Sequence, residues 1–216
     1  HSVWLLLLTC EVQATVLPTR VPTKIPTVAP TGYPRFINMN GWVANSTQGV
    51  QVSGAAATDL LGFSVSSAGD VNHDGYSDVL MGAVQASPLG RTKAGLVYLL
   101  FGKSGGIPDV DTASYGGVDG IKIIGTTQGY FGHSVAAAGD VNGDGIDDFV
   151  LGSMNYEASS PQRGAAGMAV IIFGKLSNWT DIDMLTFSAA SGLGFRVIGK
   201  TANDYFGQSV SGIGDF

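Results

Sequence analysis

The chain has 216 residues, of which 44% are hydrophobic and only 13% are charged, and it contains 32 glycines. That length is enough to bury a core, and many glycines with few charges favour a turn-rich β protein over a helical one. The net charge is −6 and we find no basic patch, so we expect no nucleic-acid partner. Because Cys10 is the only cysteine, an intramolecular disulfide is excluded. An extracellular chain of this kind would depend on metal ions and β-packing for stability.

The first 35 residues differ in composition from the rest of the chain. Residues 1–14 begin without Met and include an apolar run, Val3 to Thr9, that is too short to span a membrane. We interpret them as a truncated signal peptide with a small-residue cleavage site at Val12–Ala14; the alternatives are a buried strand and the end of a truncated membrane anchor. In residues 15–35 a Pro-Thr pair recurs every four residues, which favours an extended stalk or linker. Such a stalk either carries O-glycans or is an unmodified spacer.

From Phe36 to the last residue the composition is that of a globular domain with internal repeats. The repeats contain Leu61-Gly62, Phe131-Gly132 and Phe206-Gly207, spaced by 70 and 75 residues. We place the first repeat at about residues 55–124, the second at about 125–199 and the start of a third at 200–216. We therefore expect the chain to be cut in mid-repeat. Asn45 and Asn178 each begin an N-glycosylation sequon.

Each complete repeat contains four short apolar runs. In the first repeat they are Ser64–Gly69, Val79–Ala83, Gly95–Lys103 and Ile121–Gly125, and in the second Ser134–Gly139, Phe149–Ser153, Gly167–Lys175 and Phe195–Gly199. Val50–Gly54 resembles the fourth run and precedes the first repeat. Four short strands at a fixed period are the pattern of a β-propeller blade. The sequence therefore predicts an all-β protein built of β-propeller blades, each of four antiparallel strands.

A nine-residue acidic sequence separates the first two runs of each repeat. It reads D-x-N-x-D-G-x-x-D at Asp70–Asp78 and again at Asp140–Asp148. Oxygen-bearing side chains stand at positions 1, 3, 5 and 9, glycine at position 6 permits a sharp turn, and the backbone carbonyl at position 7 can add a ligand. This donor set suits Ca²⁺. The predicted ligands are Asp70, Asn72, Asp74, Tyr76 (carbonyl) and Asp78, then Asp140, Asn142, Asp144, Ile146 (carbonyl) and Asp148.

The flanks of these loops distinguish them from EF-hand loops. An EF-hand requires Glu at position 12 and a helix on either side, whereas position 12 here is Met81 or Leu151. The apolar runs on both sides suit strands. We therefore predict that each loop is the turn of a β-hairpin. The alternative is an ordinary Asx-rich turn.

The Phe131-Gly132 pair, the acidic loops, and the segments Gly82–Val84 and Gly152–Met154 resemble FG-GAP repeats. These repeats build the N-terminal propeller of integrin α-subunits and occur in related extracellular proteins. The resemblance covers about residues 45–216. The first copy has Leu61 in place of Phe, and neither copy has the proline of the Gly-Ala-Pro position.

The resemblance implies a seven-bladed propeller with Ca²⁺ in hairpin loops on one face and ligand contacts on the other. It also implies that Asp215 opens a third metal loop. Asn72 and Asn142 each remove one negative charge relative to an all-Asp loop, which weakens calcium binding.

Catalysis by these residues is not expected. Of the histidines His1, His73 and His133, His73 fills a non-ligand loop position, and His133 aligns with Phe63 and Gln208. The sequence around Ser134 partly matches a nucleophile elbow but lacks its closing glycine. Carboxylates that converge on a cation are not poised for acid–base work. A catalytic domain elsewhere in a longer protein stays open.

The function that we expect is an extracellular, calcium-binding propeller module for cell adhesion or ligand binding, similar to integrin α. Its partners would be a protein or glycan ligand and a receptor subunit, with membrane attachment only through an anchor outside this sequence. The first alternative is the accessory propeller of a secreted hydrolase, such as a phospholipase D-like enzyme. The second is a structural matrix or wall protein.

Overall fold

The computed structural model describes residues 2–5, 50–159 and 162–213. The proposed cleavage site, the Pro-Thr stalk, the Asn45 sequon and Asp215 lie outside these residues and stay predictions. Asn178 lies inside them and is exposed, so the second sequon is accessible.

The described residues are almost entirely strands and turns. The strands are β1 (Ser2–Leu5), β2 (Val50–Ser53), β3 (Leu61–Gly69), β4 (Asp78–Ala83), β5 (Leu96–Leu100), β6 (Val110–Asp111), β7 (Gly120–Ile124), β8 (Phe131–Gly139), β9 (Asp148–Ser153), β10 (Ala158–Ser159), β11 (Gln162–Arg163), β12 (Met168–Ile172), β13 (Ile182–Asp183) and β14 (Gly194–Ile198). Short 3₁₀ turns occur at Pro88–Gly90, Gly117–Asp119 and Ala189–Ser191. Within the described ranges, no helix has the length and apolar character needed to cross a membrane.

Two four-stranded antiparallel units form the body of the protein. The first blade has the spatial order β3-β4-β5-β7, and the second blade has the order β8-β9-β12-β14. Each strand pairs with its neighbour in sequence, apart from the short inserted segments. The predicted all-β class and the four-stranded antiparallel blade are confirmed.

The main hydrophobic core lies between the two blades. Along the central strands, alternate side chains point to opposite faces of a sheet. The first blade contributes Leu80, Val97, Leu99, Ile121 and Ile123 to this core, and the second contributes Phe149, Leu151, Met168, Val170 and Ile172. The other face of the first blade packs with β2 in a second core, which includes Val50, Val52, Met81, Tyr98 and Leu100. The first blade is therefore covered on both faces, which explains why its central strands are continuously apolar.

Pairs of glycines mark the closest approach of neighbouring repeats. A Cβ added to Gly82 would lie 2.2 Å from the carbonyl oxygen of Gly132, which also accepts a 2.7 Å hydrogen bond from Ser64 Oγ. The next pair repeats this contact: a Cβ on Gly152 would lie 2.0 Å from the Gly207 oxygen. The glycines of the two short motifs thus meet across the blade interface, where a side chain has no space.

Two short strands extend the sheet of the preceding unit, which the sequence analysis did not predict. β13 pairs in parallel with β7, although its residues belong to the second repeat. β6 pairs in the same way with β2. Each inserted strand therefore ties one repeat to the outer edge of the unit before it.

The beginning of the chain contains a strand in the structure. Ser2–Leu5 forms β1, which pairs antiparallel with β2 in the register Ser2 to Ser53. A strand was one of the alternatives for this segment. The signal-peptide interpretation stays a prediction, because residues 6–14 lie outside the described part of the chain.

Candidate metal centre

Both acidic loops connect the first two strands of a blade, as predicted. The first joins β3 to β4 and the second joins β8 to β9. The last position of each loop starts the second strand, and its side chain is fully buried: Asp78 and Asp148 are each 0% exposed. The loops are thus hairpin turns whose bases reach into the core.

The buried aspartate at position 9 closes each loop onto the adjoining backbone. Asp78 Oδ2 accepts a 2.9 Å hydrogen bond from Val71 N, and its Oδ1 accepts a 2.7 Å bond from Gly102 N. Asp148 accepts the equivalent bonds from Val141 N and Gly174 N, both at 2.8 Å. Since Gly102 and Gly174 follow the third strand of each blade, this aspartate ties the loop to that strand.

The aspartate at position 1 holds the tip of the loop. Asp70 Oδ1 accepts a hydrogen bond from Asp74 N and Asp70 Oδ2 accepts one from Gly75 N, both at 2.9 Å. Asp140 makes the same pair of contacts, at 3.0 Å with Asp144 N and 2.8 Å with Gly145 N. The two loops therefore share one fold.

The middle positions complete this network. Asp74 N donates to Asn72 Oδ1 at 3.1 Å, Asn72 Nδ2 donates to Asp74 Oδ2 at 3.0 Å, and Tyr76 N donates to Asp74 Oδ1 at 2.9 Å. The second loop repeats these three bonds with Asn142, Asp144 and Ile146. Tyr76 and Ile146 thus contribute their N–H groups to the network.

Positive φ angles explain two residue choices in the loops. At position 6, Gly75 and Gly145 have φ of +90° and +87°, which favours glycine. At position 4, His73 has φ of +56° and Gly143 has φ of +75°. A left-handed backbone tolerates histidine better than most side chains. His73 therefore occupies a turn position that glycine can also fill, which agrees with its interpretation as a non-ligand.

The buried carboxylates lack a basic partner. Burial is the main cause that raises the pKa of Asp78 to about 7; the N–H groups of Gly102 and Val71 oppose it, and the charges of Asp74 and Asp70 add to it. Burial also raises the pKa of Asp148 above its ordinary value. Within the described residues, the salt bridges are Arg91–Asp183 and Lys103–Asp119, and neither involves a residue of the two acidic loops. The loops therefore concentrate negative charge that no cationic side chain there offsets.

The donor chemistry of the loops fits a calcium ion, although their acidic side chains do not converge. At positions 1, 3, 5 and 9, each loop offers three carboxylates and one amide oxygen, the ligands that Ca²⁺ prefers. An ionised carboxylate has about four lone-pair sites, so an oxygen that accepts one N–H bond can still bind a cation. Among the described residues, however, no group of three or more His, Cys, Asp or Glu side chains is close enough to hold a metal. In the structure these oxygens are directed at the loop backbone.

Asp147 links the two loops and was missed by the sequence analysis. Its Oδ2 accepts a 2.8 Å hydrogen bond from Asp70 N, the first residue of the other loop. A Cβ on Gly69 would lie 2.4 Å from the same oxygen, so this contact requires glycine there. Asp147 is at position 8, where the first loop has Ser77, and the repeat pattern therefore held no signal for it.

The side chains of His133 and Ser134 make hydrogen-bond and packing contacts. Both lie in β8, as expected for a strand position. His133 Nδ1 is 3.1 Å from the carbonyl oxygen of Gln208, and its ring centroid is 5.0 Å from that of Phe63. Ser134 Oγ donates a 2.8 Å hydrogen bond to the Gly207 oxygen. These side chains join β8 to β3 and to the start of the third repeat.

The fold and the two acidic hairpin loops define a class of four-stranded β-propeller blade repeats, and the comparisons with known proteins agree. The FG-GAP repeat family matches residues 61–100 and 131–171. The chain therefore contains two FG-GAP repeats, and the resemblance found in the sequence is confirmed.

The curated relatives include integrin α-subunits and a phospholipase. The chain is 30% identical over 151 residues to phosphatidylinositol-glycan-specific phospholipase D of Bos taurus, covering 66% of this chain and 17% of that protein. It is 37% identical over 93 residues to integrin alpha pat-2 of Caenorhabditis briggsae, covering 43% of this chain and 7% of the relative. It is also 30% identical over 104 residues to human integrin alpha-7, covering 48% of this chain and 8% of the relative. The matched segment thus spans less than a fifth of each of these relatives.

Proposed function

We propose that the chain is a segment of an extracellular, calcium-binding β-propeller that serves in cell adhesion or ligand binding. The observation that carries this proposal is the pair of nine-residue loops that share the pattern D-x-N-x-D-G-x-x-D. At positions 1, 3, 5 and 9, each loop places three carboxylates and one amide at the end of a hairpin, and no basic side chain among the described residues forms a salt bridge with them. A cation would offset this charge.

The residues that would hold the ion are those expected from the sequence. In the first loop they are Asp70, Asn72, Asp74, the carbonyl of Tyr76, and Asp78, and in the second Asp140, Asn142, Asp144, the carbonyl of Ile146, and Asp148. When bound, Ca²⁺ would supply electrostatic compensation and stiffen the hairpin. Because Asp78 and Asp148 also bind backbone N–H groups of the third-strand ends, each loop would transmit this stiffening to its blade.

A ligand-binding role is supported by a cleft at the opposite end of the blades. The cleft has a volume of about 620 Å³ and is lined by Thr126, Thr127, Tyr156, Glu157, Gln162, Met184, Leu185 and Arg196. Thr126 and Thr127 follow β7, Tyr156 and Glu157 follow β9, and Met184 and Leu185 follow β13, which runs parallel to β7. Since those connections leave the strand ends opposite the acidic loops, the cleft agrees with ligand contacts on the face away from calcium.

The second candidate is the accessory propeller of a secreted hydrolase. It is favoured by the match to the bovine phospholipase, which covers more of this chain than the integrin matches do. The sequences that flank this segment in its gene discriminate the two. A hydrolase domain supports the second candidate, and a membrane-spanning helix with a short tail supports the receptor.

The calcium proposal is tested by calorimetric titration of the full chain together with thermal melts in calcium and in EDTA. We expect binding at both described loops, with dissociation constants of about 10⁻⁴–10⁻³ M, and a higher melting temperature in calcium. Asp74→Ala should remove binding at the first loop, because it deletes the ligand at position 5. His73→Gly is the matched control, since the second loop already has glycine there. An unchanged titration of Asp74→Ala would contradict the assignment.

A further inference from the structure

A second short motif recurs in the chain, outside the metal loops. Asp109–Tyr115 reads D-V-D-T-A-S-Y, and 72 residues later Asp181–Phe187 reads D-I-D-M-L-T-F. We call these two stretches clasp segments. Their common pattern is Asp, a β-branched residue, Asp, two variable residues, a hydroxyl residue and an aromatic residue. Each clasp segment contains one of the inserted strands, β6 or β13.

Both clasp segments bind the edge of the preceding sheet in the same register. The first aspartate accepts a hydrogen bond from an edge-strand N–H: Gln51 N to Asp109 Oδ1 at 2.9 Å, and Lys122 N to Asp181 Oδ1 at 2.8 Å. The fourth residue returns a backbone bond to the same edge, from Thr112 N to Ser53 O and from Met184 N to Ile124 O, both at 2.9 Å. A repeated set of contacts indicates a repeated mode of binding, in which an extended segment adds a strand to a sheet edge.

The second clasp segment also forms an ion pair with the blade that it binds. Asp183 receives both arms of the Arg91 guanidinium, at 2.7 Å for Nη1–Oδ1 and 2.6 Å for Nη2–Oδ2. Arg91 Nη1 donates further to the carbonyl oxygen of Gly125. Such a two-armed contact to a carboxylate is directional as well as strong.

The second blade carries the same arginine, but among the described residues no carboxylate forms a salt bridge with it, and Asp204 interacts with its charge only at longer range. Arg163 lies 72 residues after Arg91 in the sequence. Its Nη1 donates to the carbonyl oxygens of Gly199 and Lys200, both at 2.8 Å, and Gly199 is the equivalent of Gly125. Its Nε is buried and finds no hydrogen-bond acceptor among the described residues. A buried donor without a partner is costly, and a carboxylate would satisfy it.

The strand edge beside Arg163 is also open. β14 ends its sheet, and none of the described strands pairs with its outer edge, whereas the equivalent β7 pairs with β13. The outward apolar side chains of β14 are partly exposed, with Phe195 at 37% and Val197 at 41%. Their equivalents in the first blade, Ile121 and Ile123, are 1% and 0% exposed.

The start of a third repeat already packs on the face of the second blade that is directed away from the first blade. Phe206 bridges to Gly167 just as Phe131 bridges to Gly95. This arrangement argues that the same type of blade fits the whole outer face of the second blade.

We propose that the outer edge of β14 together with Arg163 is a docking site for a third clasp segment, an acidic D-[V/I]-D strand of a further FG-GAP blade. The β-branched residue pairs beside Val197, the first aspartate accepts the backbone N–H of Arg196, and the second aspartate binds the Arg163 guanidinium. This proposal goes beyond the calcium function and does not depend on it.

The test uses a nine-residue peptide with the chain's own sequence from Thr180 to Ser188 and the full ¹⁵N-labelled chain. Titration followed by NMR should shift the backbone amides of Phe195–Ile198 and the Nε–H signal of Arg163. The Asp183→Asn peptide is the matched control, and it should bind at least about tenfold more weakly because it loses the charge-assisted pair. Arg163→Gln in the chain should cause the same loss, with its folding checked by spectral dispersion and melting temperature.

Three results would overturn the proposal. The first is saturating peptide without shifts at β14, and the second is equal affinity of the Asp and Asn peptides. The third is self-association of the free chain, measured by sedimentation, that either Arg163→Gln or Asp111→Asn abolishes. That result would mean that the site accepts the first clasp segment of a second copy of the chain.

Discussion

The two blades have closely similar sequences but different environments. In the first blade, Ile121 and Ile123 lie in the core against the second blade, whereas Phe195 and Val197 at the equivalent positions are more than a third exposed. All four residues are apolar, so the difference arises from the neighbours and not from the residue type. A repeat of this kind obtains much of its stability from its contacts with adjacent repeats. Position within the array therefore determines what a given residue contributes.

The largest expected effect tests this comparison directly. Ile123→Ala removes a fully buried side chain from the core between the blades, and we expect it to lower the free energy of unfolding by about 2–5 kcal/mol. Val197→Ala at the equivalent position should cost less than about 1 kcal/mol, because that side chain is 41% exposed. Urea unfolding of the two variants measures the difference. Equal losses would mean that the two faces are equally buried in solution.

Gly82→Ala tests the close approach between the blades. The added Cβ would meet the Gly132 carbonyl at 2.2 Å, so the interface must separate, and we expect a loss of about 1–3 kcal/mol or more. Gly164→Ala is the matched control, since no atom lies within 4 Å of its added Cβ. Thermal unfolding of both variants provides the measurement. A melting temperature of Gly82→Ala equal to that of the control would rule out the contact.

The ion pair between the blades gives a smaller, pH-dependent effect. The hydrogen bonds from Arg91 are the main cause that holds the pKa of Asp183 below its ordinary value. A depressed pKa means that the pair stabilises the fold above the unfolded pKa of about 3.9 and that this contribution is lost as the pH falls through the folded pKa. Arg91→Gln should therefore cost about 1 kcal/mol at pH 6 and progressively less below pH 4. Thermal melts of variant and wild type from pH 2.5 to pH 6 measure it, and a constant difference across that range would contradict this origin.

The smallest expected effect comes from the ion pair within the first blade. Lys103 and Asp119 are in contact at 2.8 Å, but their side chains are 43% and 51% exposed. Water screens such a pair, so Lys103→Ala should change the free energy of unfolding by less than about 0.5 kcal/mol. Urea unfolding beside Arg91→Gln shows whether the pair between repeats matters more than the pair within one. A larger loss for Lys103→Ala would reverse that ranking.

Much of the fold could be predicted because its signals are local. The loop pattern with glycine at position 6 predicted a hairpin turn, and β3–β4 and β8–β9 are joined by that turn. Short apolar runs at a fixed period predicted the four-stranded blade. The clasp segments left a detectable signal in the D-x-D repeat at Asp109 and Asp181, but their parallel pairing joins residues about 60 positions apart, which no local pattern reports.

The sequence by itself determined the class of fold, the repeat and the oxygen donors of the two loops, because each depends on residue types at short, regular spacing. Tertiary structure alone decided which apolar face is covered and that Asp147 contacts the backbone of the other loop. It also decided that Arg91 forms a salt bridge with a carboxylate, whereas Arg163 forms none among the described residues. Such contacts depend on the packing of one repeat against the next. The physical reason is that a blade buries its faces only against its neighbours. Equivalent positions in two repeats can therefore be buried to different extents and contact different residues.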